Sequence, residues 1–285
     1  MARAIPSTVS ETGRQVEQTA RAALRNPWVE RLARLGFAAR GVVYALMGIL
    51  AVQTAFGARR ASRMADTRGV LQVVARQSTA LLWLLAVGLF GYALWRIVQG
   101  VFDPENKGSD AKRLALRAGR ILSGLIYGGL AWAAVRIAMG ARDAGGNGAR
   151  GWTADLMDKP FGRWLVALAG IGVIVFGIVQ IWRGWTAKLH DHLKLQEMDA
   201  REQRLALVSG RLGLIARGVV FLLSGWFLIQ AAWRFDADQA RGLGGALETL
   251  ARQPHGPWLL GFVAFGLIAF GAHSILLARY RRIVF

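Results

Sequence analysis

The chain contains no cysteine, and its 36 Lys and Arg face only 17 Asp and Glu. Without a thiol there is no disulfide, thiolate metal site or cysteine nucleophile, and redox chemistry says nothing about the compartment. None of the 17 acids falls inside the six long apolar runs of the chain. Proton relays and cation-coupled carriers generally keep an intramembrane carboxylate for the ion, so its lack argues against such a carrier. Carbonyl-lined ion sites stay open. Serines are few, and none stands in a nucleophile-elbow pattern with an identifiable His and acid. The Gly-rich run Met139–Trp152 lacks the Gly-Lys-Ser/Thr ending of a phosphate loop and reads as a flexible extracytoplasmic connector. The first 30 residues carry Arg14, Arg21 and Arg25 and no apolar core before a small-residue cleavage site. The first apolar run is therefore expected to act as its own insertion signal.

What is abundant is apolar: 54% of the residues are hydrophobic, mean hydropathy is +0.34, and there are 11 Trp and 35 Gly. The runs are Phe37–Phe56, Leu81–Phe102, Ile121–Met139, Trp164–Trp182, Leu212–Trp233 and Trp258–Ala278. Each offers roughly the 20 residues that a helix needs to cross a hydrocarbon core about 30 Å thick. A net charge of +19 is compatible with nucleic acid binding, but a soluble basic domain would not intersperse its charge between six spanning segments, so no nucleic acid partner is expected. With six spans, the side holding both termini carries twenty Lys and Arg and the other side twelve. The positive-inside bias then predicts a multi-pass protein of the bacterial inner membrane with both termini in the cytoplasm.

The runs form three similar pairs. Arg34-Leu-Gly-Phe-Ala-Ala-Arg40-Gly41-Val-Val-Tyr44 matches Arg211-Leu-Gly-Leu-Ile-Ala-Arg217-Gly218-Val-Val-Phe221 without a gap, and the register continues to Gly48 and Gly225. A weaker copy begins Arg117-Ala-Gly-Arg-Ile-Leu-Ser123-Gly124-Leu-Ile-Tyr127, with Ser123 in place of the second Arg. The return helices align Gly88 with Gly172 and Gly266, Tyr92 with Phe176 and Phe270, and Ala93 with Gly177 and Gly271. Pro160-Phe-Gly-Arg-Trp164 echoes Pro254-His-Gly-Pro-Trp258 at the entry to two of them. Repetition of this kind predicts an all-α membrane protein of six transmembrane helices, built as three parallel hairpin repeats with approximate threefold pseudosymmetry. The repeats are placed at 34–102, 117–184 and 211–282, after an amphipathic N-terminal segment at 1–33.

The Arg-Gly-Val-Val-aromatic segments and the Pro/Gly/Trp entries resemble a bacterial membrane-protein family known as the domain of unknown function numbered 1206. That resemblance implies three tandem two-helix units over about residues 30 to 282, and it carries no activity to transfer.

Helices in lipid associate by close approach and hydrogen bonding, so small residues are expected to mark the contact faces. The candidates are Gly41, Gly48, Gly88, Gly124, Gly128, Gly172, Gly177, Gly218, Gly225, Gly266 and Gly271, with Gly91 and Gly261 on the same return helices. Trp28, Trp83, Trp95, Trp152, Trp164, Trp182, Trp185, Trp233 and Trp258 fall near span ends and are expected to act as interfacial anchors. Residues 14–34, Val70–Gln77 and Ala246–Gln253 read as amphipathic segments lying in the interface, or equally as lids for a partner surface.

Four arginines enter the spans: Arg40, Arg96, Arg136 and Arg217. Snorkelling to headgroups is the plain expectation for them. A sharper one has Arg40, Arg96 and Arg217 converging near the cytoplasmic end of the axis beside Gln180 and Ser274, which match Arg96 by position, as a site for an anionic lipid or an acidic partner. His190 and His192 flank Asp191 without a third ligand type nearby, and His273 stands alone in the last span. No metal or cofactor is therefore expected, and His273 reads as a hydrogen-bond donor to a neighbouring helix. The function expected is non-enzymatic: contact with membrane lipids, anionic ones above all, or with a partner in a membrane complex. Two rivals stand beside it, a channel or carrier for a small anionic solute and an enzyme acting on a lipid or quinone.

Overall fold

The computed structural model describes residues 27–56, 66–101, 111–141, 149–186, 193 and 195–281. Each repeat consists of a long helix, a short one and a second long one. The first holds α1 (Pro27–Ala55), α2 (Thr67–Gln77) and α3 (Thr79–Val101). The second holds α4 (Ala111–Ala138), α5 (Ala149–Met157) and α6 (Gly162–Thr186), and the third α7 (Ala200–Arg234), α8 (Leu243–Ala251) and α9 (Gly256–Tyr280). The six long helices are all long and apolar enough to cross a membrane.

The helix boundaries follow local chemistry. Helix α7 is closed at its start by a capping box, in which the Asp199 carboxylate accepts from the Glu202 N–H at 2.6 Å and the Glu202 carboxylate from the Asp199 N–H at 3.1 Å. The repeated Pro-x-Gly entry has one geometry in two copies, with Phe161 and His255 at φ 61° and 63°. A Cβ on Gly162 or Gly256 would lie 1.8 or 2.1 Å from the carbonyl oxygen of Leu156 or Ala251, so only glycine can follow that turn.

The spans pack one against the next in the order α4, α3, α1, α9, α7, α6, with the two ends of the row left apart. The tightest interfaces join different repeats: α3 with α4, α6 with α7, and α9 with α1. Glycines make these approaches possible, because a Cβ on Gly41 would stand 2.8 Å from the Gly271 carbonyl oxygen, on Gly124 2.9 Å from that of Ala93, and on Gly218 2.7 Å from that of Gly177. These are matching positions in the three copies, so the pseudosymmetry is one of backbone contact. Gly48 and Gly225 meet the carbonyls of Ala264 and Gly170 in the same way.

Within repeats 1 and 3 the two spans also touch: a Cβ on Gly88 would lie 2.6 Å from Ala39 Cβ, and one on Gly266 2.2 Å from Ala216 Cβ. The middle hairpin differs. Helices α4 and α6 make no more than marginal contact, and Gly172, which matches Gly88 and Gly266, has nothing within 4 Å of where its Cβ would be. Gly261 is equally open, and Gly128 reaches only an ordinary contact with Ala93, so these three do not serve as close-packing positions.

The short helices pack on the bundle. Val70, Leu71 and Val74 of α2 and Ala246 and Leu247 of α8 are buried in the core, so the apolar face of each short helix turns to the bundle. Helix α5 takes up Ala149–Trp152, the end of the run read as a connector, while 142–148 lie outside the described residues. The amphipathic segment is likewise divided: 14–26 lie outside the described residues, and from Pro27 onward the chain belongs to α1, where Ala33 is buried. Trp95 is also buried, at 3% exposure, because its face of α3 turns to the bundle. Trp28, Trp152, Trp164, Trp182, Trp185, Trp233 and Trp258 are exposed.

Candidate arginine and aromatic site

Every span contributes one aromatic residue at a matching position, and these rings meet in pairs across the interfaces between repeats. Tyr92 lies against Tyr127, Phe176 against Phe221 and Tyr44 against Phe270, with centroids 4.6, 5.2 and 4.8 Å apart and planes 73°, 75° and 75° to one another. Edge-to-face pairs like these add stability beyond the area they cover, about 0.5–1.5 kcal/mol each.

Two guanidinium groups sit among the rings. Arg40 is 5% exposed and lies 5.1, 4.8 and 5.1 Å from the ring centres of Phe37, Tyr92 and Phe270. It donates to the Tyr92 hydroxyl and, at 3.0 Å, to Ser274 Oγ. Arg217 is 8% exposed and stands 5.2, 5.0 and 4.9 Å from Tyr44, Phe221 and Phe270. Both cations thus share the Phe270 ring. Neither snorkels, since a desolvated cation over an aromatic face gains about 2 kcal/mol or more and each has several faces. Their Nε atoms have no hydrogen-bond partner. The third copy of this position is Ser123, so the ring of cations is incomplete.

The sequence expectation of one converged cluster is thereby divided. Arg40 and Ser274 meet directly and Arg217 shares their aromatic surround, whereas Arg96 lies one turn farther toward the face where α1 starts and α9 ends. There Arg96 lies 5.4 Å from the Tyr92 ring and donates to Gln99 Oε1 at 3.3 Å. Gln180, at 4% exposure, is buried on the equivalent turn of α6. Near Arg96 stand two arginines that the sequence reading left out of the site, Arg120 of α4 and Arg183 of α6, whose charges act on one another. Arg120 donates to the Gln99 carbonyl at 3.3 Å. Spacing could not reveal this group, because its members come from three helices of two repeats.

The first arginine of each copy has a different task. Arg34 donates to the carbonyls of Ala278 and Arg279, Arg117 to those of Gly100 and Val101, and Arg211 to that of Trp185. In each case the cation closes the last turn of a neighbouring repeat's second span, where orphan carbonyls and the helix dipole favour positive charge. His273 donates from Nδ1 to the Ala206 carbonyl of α7 at 2.9 Å. His190 and His192 lie outside the described residues, and among those described no three His, Asp or Glu gather as a metal site.

On the opposite face, the N-terminal ends of α2, α5 and α8 surround a cleft of about 480 Å³. Arg68, Arg150, Arg241 and Arg252 line it with Asp66 and Glu248. Arg252 is paired with Glu248 at 2.7 Å, and the Asp66 carboxylate caps α2 by accepting from the Gly69 N–H.

The profile of the family described as Domain of Unknown Function (DUF1206) matches three tandem regions, 35–103, 118–187 and 212–281. The uncharacterized protein YxxB of Bacillus subtilis (strain 168) is 38% identical over 257 residues, covering 90% of this chain and 92% of that protein. No solved structure matches the chain. The three hairpins, with their repeated Arg-Gly-Val-Val-aromatic motif, thus place this chain in the DUF1206 family of multi-pass helical membrane proteins.

Proposed function

We propose that this protein is a non-enzymatic component of the bacterial plasma membrane that holds anionic phospholipid headgroups at its cytoplasmic face, the one where α1 starts and α9 ends. The observation that carries this reading is the grouping of arginines from three helices on that face, where Arg96 and Arg120 both donate to Gln99 and Arg183 lies within electrostatic reach of the two. Guanidinium forks match phosphate oxygens in geometry as well as charge. The excess of Lys and Arg on that side, twenty against twelve, favours the cytoplasmic orientation and the anionic leaflet. The centre of the bundle supports an interaction role over a conducting path, because the ring pairs and two buried cations fill it.

The test is native mass spectrometry of protein released from nanodiscs holding phosphatidylglycerol and phosphatidylcholine in equal parts. Wild type retains phosphatidylglycerol in preference, and the R96Q/R120Q/R183Q variant loses that preference. Equal retention of both lipids by wild type overturns the reading. The arginine-lined cleft on the opposite face favours a second one, a carrier for a small anion; anion flux into proteoliposomes, abolished by R68Q/R150Q, would support it.

A further inference from the structure

The short helices of the three repeats begin in register. The echo of Ala75-Arg76-Gln77 in Ala251-Arg252-Gln253 sets Arg68-Gly69 of α2 against Gly244-Gly245 of α8, and the echo of Pro160 in Pro254 sets Arg150-Gly151 of α5 against the same pair. In each helix these are the second and third residues. Two of the three copies thus carry an arginine in the first turn of a helix, where the dipole is positive and a cation is out of place. Both line the cleft of about 480 Å³ on the face opposite the termini. A local rule broken twice at one place marks a site whose cations answer to something besides their own helices.

The third copy supplies its cation from just before the helix, and that cation is built in. Gly245 makes room for the stem of Arg241, because a Cβ there would lie 2.5 Å from Arg241 Cβ. The Arg241 guanidinium stands 5.4 Å from the centre of the Phe227 ring and donates from Nη1 to Thr249 Oγ1 at 3.2 Å. These contacts use one of the five N–H donors of a guanidinium and set the direction of the others. Gly244 does the same service for repeat 1: a Cβ there would lie 2.6 Å from Asp66 Cβ, so the start of α2 is seated on the start of α8.

Charge and size define the occupant. Four arginines, Arg68, Arg150, Arg241 and Arg252, and two carboxylates, Asp66 and Glu248, line the cleft, an excess of two positive charges. Glu248 is paired with Arg252, and Asp66 caps α2. Asp236 is within electrostatic reach of Arg150 but outside the lining, and it accepts from Gln239 Nε2 at 3.1 Å and from the Asp238 N–H at 2.9 Å. The volume falls within the range of small-molecule sites, about 300–1,000 Å³, and guanidinium forks match phosphate oxygens in shape and charge. Helices α2 and α8 bury Val70, Leu71 and Leu247 in the core, and ring pairs fill the centre of the bundle, an arrangement that suits holding a solute over passing it.

We propose that this cleft binds a small solute bearing a phosphate group, held by Arg150 and Arg241 with Arg68 beside them, and that the bound dianion ties together the short helices of all three repeats. The inference is independent of the headgroup reading, which concerns the other face, and it differs from the carrier reading in asking for binding without passage.

The experiment is equilibrium dialysis of the full chain in detergent against radiolabelled inorganic phosphate at about pH 8, where phosphate is doubly charged, with ionic strength held constant by sodium chloride. Wild type binds one phosphate per chain, saturably. R150Q and R241Q each weaken binding about tenfold, the worth of one charged hydrogen bond. R163Q, which alters an exposed arginine on the same face outside the lining, leaves binding unchanged. The thermal midpoint of each variant without phosphate reports folding, and R150Q carries the test if R241Q unfolds, because the Arg150 side chain is exposed. Wild type without saturable binding overturns the site, as does equal weakening by R163Q or wild-type affinity in R150Q. Phosphate uptake into proteoliposomes that R150Q abolishes overturns binding without passage in favour of the carrier.

Discussion

Arginine does two distinct jobs here, and the difference lies in what each guanidinium touches. Arg34, Arg117 and Arg211 hold the last carbonyls of a neighbouring helix at a wet or half-buried end, a contact worth roughly 0.3–1 kcal/mol when exposed and up to about 2 when sheltered. Arg40 and Arg217 are packed among rings, and losing either one leaves an empty volume between them. Arg40→Ala is therefore expected to lower the thermal midpoint in detergent by more than Arg211→Ala. Arg40→Ala costs about 2–4 kcal/mol, since it forfeits the aromatic faces, creates a cavity and leaves the Tyr92 hydroxyl without its donor. Thermal unfolding followed by intrinsic Trp fluorescence compares the two, and an equal shift contradicts the division of labour. Both roles were only half visible in the sequence. The repeat alignment shows that the first Arg recurs three times and the second twice, but not that one grips carbonyls of another repeat while the other lies under rings.

Among the helices, glycine position decides which surfaces meet. Gly218 and Gly261 look alike in the sequence, each a glycine inside an apolar span. A Cβ on Gly218 would lie 2.7 Å from a backbone carbonyl oxygen, whereas Gly261 faces open space. Gly218→Ala is expected to destabilise the α6 and α7 interface by about 1–3 kcal/mol through overpacking. Gly261→Ala is neutral, or stabilises by up to about 1 kcal/mol through helix propensity. Detergent-resistant thermal midpoints of the two variants check the contrast, and a loss at Gly261 refutes it. The six spans, their pairing and their tandem order were legible because hydropathy and repetition both report on whole helices. The open middle hairpin was not, because the glycine pattern of repeat 2 still announces a closed one.

At the scale of the molecule, packing order and chain order differ. Both ends of the row of spans belong to the middle repeat, while the first and last spans, α1 and α9, are joined by one of the tightest interfaces. An even number of crossings also sets both termini on one side. Single cysteines introduced at Ser7 and at Val284, in a chain with no other thiol, are expected to be shielded from an impermeant maleimide in intact cells and labelled in inverted vesicles. Labelling at opposite faces contradicts six crossings. The pairing of α1 with α9 has a consequence for synthesis. The first span keeps Arg40 waiting for Ser274 and Phe270, which belong to the last span made. A chain halted before Gly256 leaves Arg40 with Tyr92 and Phe37 alone, without Ser274 or the Phe270 face, so premature termination should mark the nascent protein for the membrane's quality-control proteases.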